Sequence, residues 1–194
     1  MSRPSVITEE QILDAARGVF LERGFSATTA EVARRAGIAE GSIFKRYKTK
    51  IDLFRAAMQP AMDDPAWLNL LAAQAGTDLR QTLVTVGLEA IEFFRQVMPL
   101  HMMSWSNPTG MRDSPVNAPA LRALKRVTAF FEGEMRAGRL RRHDPEILAR
   151  AYMGSLHNYV FYEMVFRAHD ELPLPPETFL RGIVNLLYVG LERK

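Results

Sequence analysis

Cysteine is absent from the 194 residues. Disulfides and thiolate metal sites are therefore excluded, and the composition suits a reducing, cytoplasmic setting. The four histidines, His101, His143, His157 and His169, share no metal-ligand spacing, so no metal site is expected. The sequence has no nucleophile elbow, phosphate loop or deaminase signature. Asp63-Asp64 and Glu9-Glu10 read more simply as capping or surface acids than as catalytic pairs. We expect no catalytic residue, no cofactor and no enzyme. The start, MSRPSVITEE, lacks the apolar centre of a signal peptide. No apolar run reaches the roughly 18 residues that a membrane helix needs; the longest are interrupted by Arg150, His157 and Glu163. Strand-like alternation does not persist either. Glycine and proline fall mainly between stretches of helical periodicity, so the fold class is all-α.

What is present fits a globular protein, with 47% hydrophobic and 24% charged residues. The net charge of +3 is too small to demand a nucleic-acid partner by itself. The distribution of that charge says more. Thr28 to Lys50 reads TTAEVARRAGIAEGSIFKRYKTK. Thr28 and Glu31 have capping-box spacing. Val32, Ala33 and Ala36 form a helical stripe, and Gly37 ends that helix. Ile38 is placed to plug the gap before a second short helix, Glu40 to Arg46, whose Ile43 faces inward. Its outer face carries Ser42, Phe44, Lys45 and Arg46. Between Arg34 and Lys50 there are six basic residues, Arg34, Arg35, Lys45, Arg46, Lys48 and Lys50, and one acid, Glu40. Two short helices around a glycine turn describe a helix-turn-helix, or an ordinary helical hairpin. A basic outer face on the second helix favours the DNA-binding reading.

The run from Thr8 to Phe54, including Phe20, Thr28, Thr29, Ala33, Gly37, Gly41, Tyr47, Lys50 and Phe54, resembles the DNA-binding domain of TetR-family transcriptional regulators. The resemblance implies a three-helix DNA-binding head at 1–50. It also implies a larger helical bundle at 51–194 that dimerises and often holds a small effector. It makes Thr28 to Ala36 the positioning helix and Glu40 to Arg46 the recognition helix. It assigns Thr29, Tyr47 and Lys50 to phosphates, and Glu40, Gly41, Ser42, Phe44, Lys45 and Arg46 to the groove. Four positions depart from the family pattern. Phe44 lacks the usual tyrosine hydroxyl, Ala39 cannot cap by its side chain, Arg46 replaces a common histidine, and Ile51 replaces a common acid. The operator sequence is therefore not readable.

The arm Ser2 to Ile7 carries Arg3. The first helix opens at Thr8, with Gln11 as its capping-box partner, buries Ile12, Leu13, Ala16, Val19 and Phe20, and ends at Gly24. A fourth helix is expected over Lys50 to Met62, and a short apolar piece over Trp67 to Gln74. A long helix follows from Asp78 to Val97, which Pro99 stops or kinks. Asn107 to Pro119 reads as a loop, placed to act as a lid. Ala120 to Ala137 is helical, with Leu121, Leu124, Val127, Phe130, Phe131 and Met135 inward. The run Arg139 to Arg142, three arginines around Leu140, could bind an acid; the simpler reading is that it offsets that helix's C-terminus and dipole. Asp144-Pro145 starts a helix that continues to about Phe166 through Ile147, Ala151, Gly154, Leu156, Tyr159 and Tyr162; close helix approach would explain its Gly154. The last helix is Glu177 to Leu191.

The broad apolar faces of the last two helices suggest a homodimer built as a four-helix bundle. The leading reading is a ligand-responsive regulator, a repressor released from a palindromic site in double-stranded DNA by a small, largely apolar effector. Phe93, Met102, Trp105, His157 and Phe161 are the candidate pocket lining; core packing explains the Met and aromatic residues as well. The alternative is a constitutive DNA-binding or protein-interaction module without an effector.

Overall fold

A computed structural model describes the backbone of residues 7–23, 26–74, 78–105 and 117–191; side chains at 58–63, 100, 103–105, 117, 190 and 191 lie outside the description. Among the described residues the regular structure is helical throughout, as the all-α reading expects. The chain divides into two compact units, residues 1–63 with 99–115, and 64–98 with 116–194.

The first unit holds α1 (Glu9–Arg23), α2 (Thr29–Ala36), α3 (Glu40–Phe44) and α4 (Lys50–Asp63). Thr8 and Gln11 form the expected reciprocal cap on α1, with bonds of 2.9 and 3.3 Å. Ile12, Ala16, Val19 and Phe20 of α1 are buried with Val32, Ala33, Ile43, Leu53 and Phe54. Phe20 and Phe54 meet at a ring separation of 4.6 Å. The Arg17 Nε donates to the Ala57 carbonyl at 3.0 Å, tying α1 to α4. Gly24, which was expected to end α1, and the arm through Val6 lie outside the described residues.

The second unit contains α5 (Ala66–Ala73), α7 (Asn117–Arg136), α8 (Pro145–Val165) and α9 (Pro176–Leu191), with a 3₁₀ turn at Ala168–Asp170. Helix α6 (Leu79–Trp105) begins in this unit. Its core includes Trp67, Val86, Ile91, Phe131, Tyr152 and Leu156. The Tyr152 hydroxyl donates to the Leu83 carbonyl at 2.5 Å, which satisfies a fully buried phenol. The Tyr159 hydroxyl donates to the Leu174 carbonyl, and its ring stacks on Phe179 at 4.6 Å.

Several expectations need correction. Helix α6 runs through Pro99 to Trp105 rather than ending near Val97, so of a stop or a kink at Pro99 the stop is excluded. Proline removes one internal hydrogen bond, and the remaining turns carry the helix past it; the division between the units nevertheless falls at this residue. Helix α7 starts at Asn117, so residues 117–119 of the expected loop are helical, while 106–116, with the lid reading, lie outside the described residues. Leu121 is 57% exposed rather than inward. Of the two readings of the arginine run, Arg139 follows the acid-binding one. Its Nε and Nη2 grip the buried Glu134 carboxylate at 2.6 and 2.9 Å. Gly154 has no close neighbour within the chain: a Cβ there meets nothing within 4 Å.

Close approach occurs at Gly87 instead. An added Cβ would collide with the Leu180 side chain and stand 2.9 Å from the Tyr152 hydroxyl. Both neighbours are fully buried, so neither can swing away. Gly87→Ala is expected to destabilise the protein by about 1–3 kcal/mol through overpacking, read as a lower melting temperature. Alanine at the open Gly154 should leave that temperature unchanged or raise it.

Candidate nucleic-acid interface

The site is built on two helix starts. Thr28 is extended (φ −110°, ψ 153°), and its hydroxyl accepts from the Glu31 amide at 3.2 Å. The Glu31 carboxylate accepts from the Thr28 amide at 2.9 Å, completing the capping box. These bonds to Thr28, first from its backbone and then from its hydroxyl, hold the Glu31 carboxyl below the usual carboxylate range. Gly37 ends α2 at φ +69°, in the left-handed region. The Ile38 amide then donates back to the Ala33 carbonyl at 3.0 Å, a Schellman closure that fixes the turn. Ile38 is half-buried, as a plug should be.

Helix α3 is shorter than expected. It spans Glu40–Phe44, and Lys45 and Arg46 follow in a turn. Ala39 gives it no side-chain cap. Glu40 instead ties its start to the start of α2, accepting from the Thr29 hydroxyl at 2.5 Å. Thr29 is buried. Gly41 is exposed, and a Cβ there would meet nothing within 4 Å. Ser42 is half-buried, and its carbonyl accepts a long 3.4 Å bond from Arg46. Phe44 is 47% exposed, an apolar ring on an otherwise polar face. Lys45, Arg46 and Lys48 are exposed and form no ion pair among the described residues.

The remaining basic residues are arranged differently. Arg35 bridges to Glu22 at 2.5 Å, which turns it toward α1. The Lys50 ammonium donates to the Ala27 carbonyl at 2.9 Å and braces the segment before α2. Tyr47 is buried, and its hydroxyl donates to the Glu9 carboxylate at 2.8 Å. Burial first, and then that bond, push the Tyr47 phenol up to about 12, so it stays protonated near neutral pH. Of the nine residues singled out for DNA, the structure thus sets Phe44, Lys45 and Arg46 outward together. It gives Thr29, Tyr47 and Lys50 partners within the unit. Those partners were missed because Glu9–Tyr47 and Glu40–Thr29 pair across 38 and 11 residues, beyond any helical periodicity. The one available signal was that Glu40 stands alone in a basic run.

Among the residues singled out for a ligand, Phe93 and His157 gather around one aromatic group in the second unit. Phe93 lies 6.4 Å from Trp67, and Phe94, itself 6.1 Å from Trp67, meets His157 edge-on at 5.8 Å. Burial pushes the His157 imidazole down, toward its neutral form. Phe161 joins a different cluster with Tyr162 and Phe166. Met102 is half-buried in the part of α6 that belongs to the first unit. The Trp105 side chain lies outside the described residues.

Residues 12–57 match the family model of bacterial regulatory proteins, tetR family. Residues 100–181 match the C-terminal domain of AefR-like transcriptional repressors. The chain is 34% identical over 184 residues to the transcriptional activator FasR of Mycolicibacterium smegmatis, covering 94% of this chain and 82% of that protein. It is 27% identical over 107 residues to the uncharacterised regulator YvkB of Bacillus subtilis, spanning about half of each chain, 55% in both cases. FadR of Bacillus subtilis, solved in complex with stearoyl-CoA, superposes with a TM-score of 0.68 at 16% identity, covering 95% of this chain and all of that one. At that identity the likeness shows the fold alone.

Proposed function

The chain belongs to the TetR family of bacterial regulatory proteins and is a transcriptional regulator; from that premise we propose that it is a dimeric repressor released from a palindromic operator by a small effector. The observation that carries this reading is the outward set of Phe44, Lys45 and Arg46, with Lys48 beside it, at the end of a helix short enough to enter the major groove. Lys45 and Lys48 would neutralise phosphates. Arg46 would grip a guanine edge or a phosphate by two bonds. Phe44 would lie against sugar or a thymine methyl, since it has no hydroxyl to offer. The internal bonds of Thr29, Tyr47 and Lys50 brace the helix starts, so their contact with phosphate would come through backbone or rearranged side chains.

Dimerisation through α8 and α9 is supported by their exposed faces. On α8, Ile147, Ala151, Gly154, Asn158 and Tyr162 recur at helical spacing and are all exposed. On α9, Leu186 and Val189 are 71% and 66% exposed beside Gly182. Two-fold packing would place the two heads about 34–36 Å apart, or further for wider half-sites. The AefR-like match at residues 100–181 supports repression, whereas the FasR relative is named an activator. The effector reading draws support from FadR, whose bound stearoyl-CoA joins a long apolar chain to an anionic carrier. Such an effector can shift the protein only by its differential affinity for two conformations.

The test is selection of the purified protein against a random DNA library. Enrichment of a palindrome is the expected outcome. Retention of DNA without sequence preference would leave only a basic head and remove the operator claim.

A further inference from the structure

In the second unit, α5 and α7 leave between them an open cleft of about 430 Å³. Its apolar floor is Leu68 and Leu71 of α5, both nearly fully buried, with Phe130 of α7 beside them. Gly133 follows Phe130 on the same face of α7, and a Cβ there would meet nothing within 4 Å. Glycine inside a helix is less stable than alanine, and no neighbouring backbone requires one here. What the missing side chain leaves is room in the cleft. At roughly 30 Å³ for each water- or methylene-sized group, that room suits on the order of a dozen heavy atoms.

The two ends of the cleft differ in charge. At one end Glu134 is buried with a side chain only 3% exposed, and both its oxygens are taken by Arg139. That end is polar but closed, because each charge already has its partner. About 12 Å along the helix, at 1.5 Å per residue, stands Arg126. Its guanidinium is held by Asn69 at 2.8 Å and by Asp64 at 3.3 Å. The Asp64 side chain is 67% exposed, and a pair so exposed is weak and exchangeable.

We propose that this cleft binds an amphipathic monocarboxylate. The carboxylate replaces Asp64 on Arg126, and the apolar body lies over Leu68, Leu71 and Phe130 in the space above Gly133. The assignment rests on the effector reading above and gives that effector a place and a charge. It differs from the Phe93–His157 group, which belongs to α6 and α8.

Calorimetric titration of the full chain with decanoate, and with decan-1-ol as the uncharged probe, tests it. Wild type is expected to take up one decanoate per chain. Arg126→Gln should weaken decanoate about tenfold or more, the value of a charge-assisted bond, and leave decan-1-ol unchanged. Gly133→Leu should weaken both probes at least about tenfold by filling the cleft, with the same circular-dichroism melting temperature as wild type. Failure of wild type to bind decanoate, or equal binding by all three proteins, overturns the proposal. Equal loss of both probes in Arg126→Gln overturns the role of the charge. The DNA selection is scored separately. A protein that selects a palindrome but ignores decanoate loses the cleft and keeps the regulator. One that binds decanoate here but selects no sequence keeps the cleft and loses the palindromic operator.

Discussion

Arg46→Ala is expected to lower operator affinity by about 2–6 kcal/mol, because a dimer presents the residue twice and each bidentate base contact is worth about 1–3 kcal/mol. That corresponds to roughly 30-fold at the low end and more than 10⁴-fold at the high end. The loss is attributable to contact rather than folding. Arg46 is exposed, and its one internal bond is a 3.4 Å contact with the Ser42 carbonyl. Its melting temperature should therefore match wild type, since surface changes of this kind stay within about 0.5 kcal/mol. Anisotropy titrations on the operator and on a scrambled duplex separate the two roles. A base contact costs affinity mainly on the operator. A phosphate contact costs it equally on both and lowers the salt slope by about one for each contact removed. Unchanged affinity and unchanged preference would contradict the placement of Arg46 at the DNA.

Phe54→Ala should abolish DNA binding by the opposite route. Phe54 is 1% exposed and packs against Phe20 at 4.6 Å in a core of four short helices. Truncating a buried phenylalanine costs about 3–5 kcal/mol, a large share of the stability that a unit of this size commands. Helix α3 is only five residues long, too short to persist by its own propensity. Its place depends on Ile43, fully buried in the same core. Loss of that core should therefore remove the recognition surface without touching it. A lowered melting temperature together with lost DNA binding is the expected pair of results. Lost binding at an unchanged melting temperature would show that Phe54 acts on DNA in some other way.

These two variants mark the difference between what local sequence could and could not reveal. The capping box of Thr28 with Glu31, the turn at Gly37 and the Thr8–Gln11 cap were legible because each is set by residues three or four apart. The exposure of Phe44, Lys45 and Arg46 was legible for the same reason, since they are consecutive on the outer side of the Ile43 anchor. The end of α3 was not, because the two basic residues carry no signal that separates a last helical turn from a following one. Of the two readings of Pro99, a stop or a kink, the stop is excluded, because a single missing hydrogen bond does not end a 27-residue helix. The exposed Leu121 fits a helical stripe by spacing, but spacing does not say which side of a stripe the core covers. Arg139 illustrates the remaining gap. Its partner Glu134 stands five residues away, outside the usual helical pairs at three and four, so the run could be read as binding an acid or as offsetting a helix end. The bonds from Glu40 to Thr29 and from Glu9 to Tyr47 lie further out, across 11 and 38 residues, and only the fold brings those partners together.

The most direct test of the account is a salt titration of wild-type protein on three duplexes: the selected palindrome, one half-site of it, and a scrambled sequence. The dimeric regulator should bind the palindrome as two chains, with log affinity falling linearly and steeply in log salt. The half-site and the scrambled duplex should be bound far more weakly. Equal affinity for all three duplexes, or binding to the palindrome that does not weaken as salt rises, would contradict it.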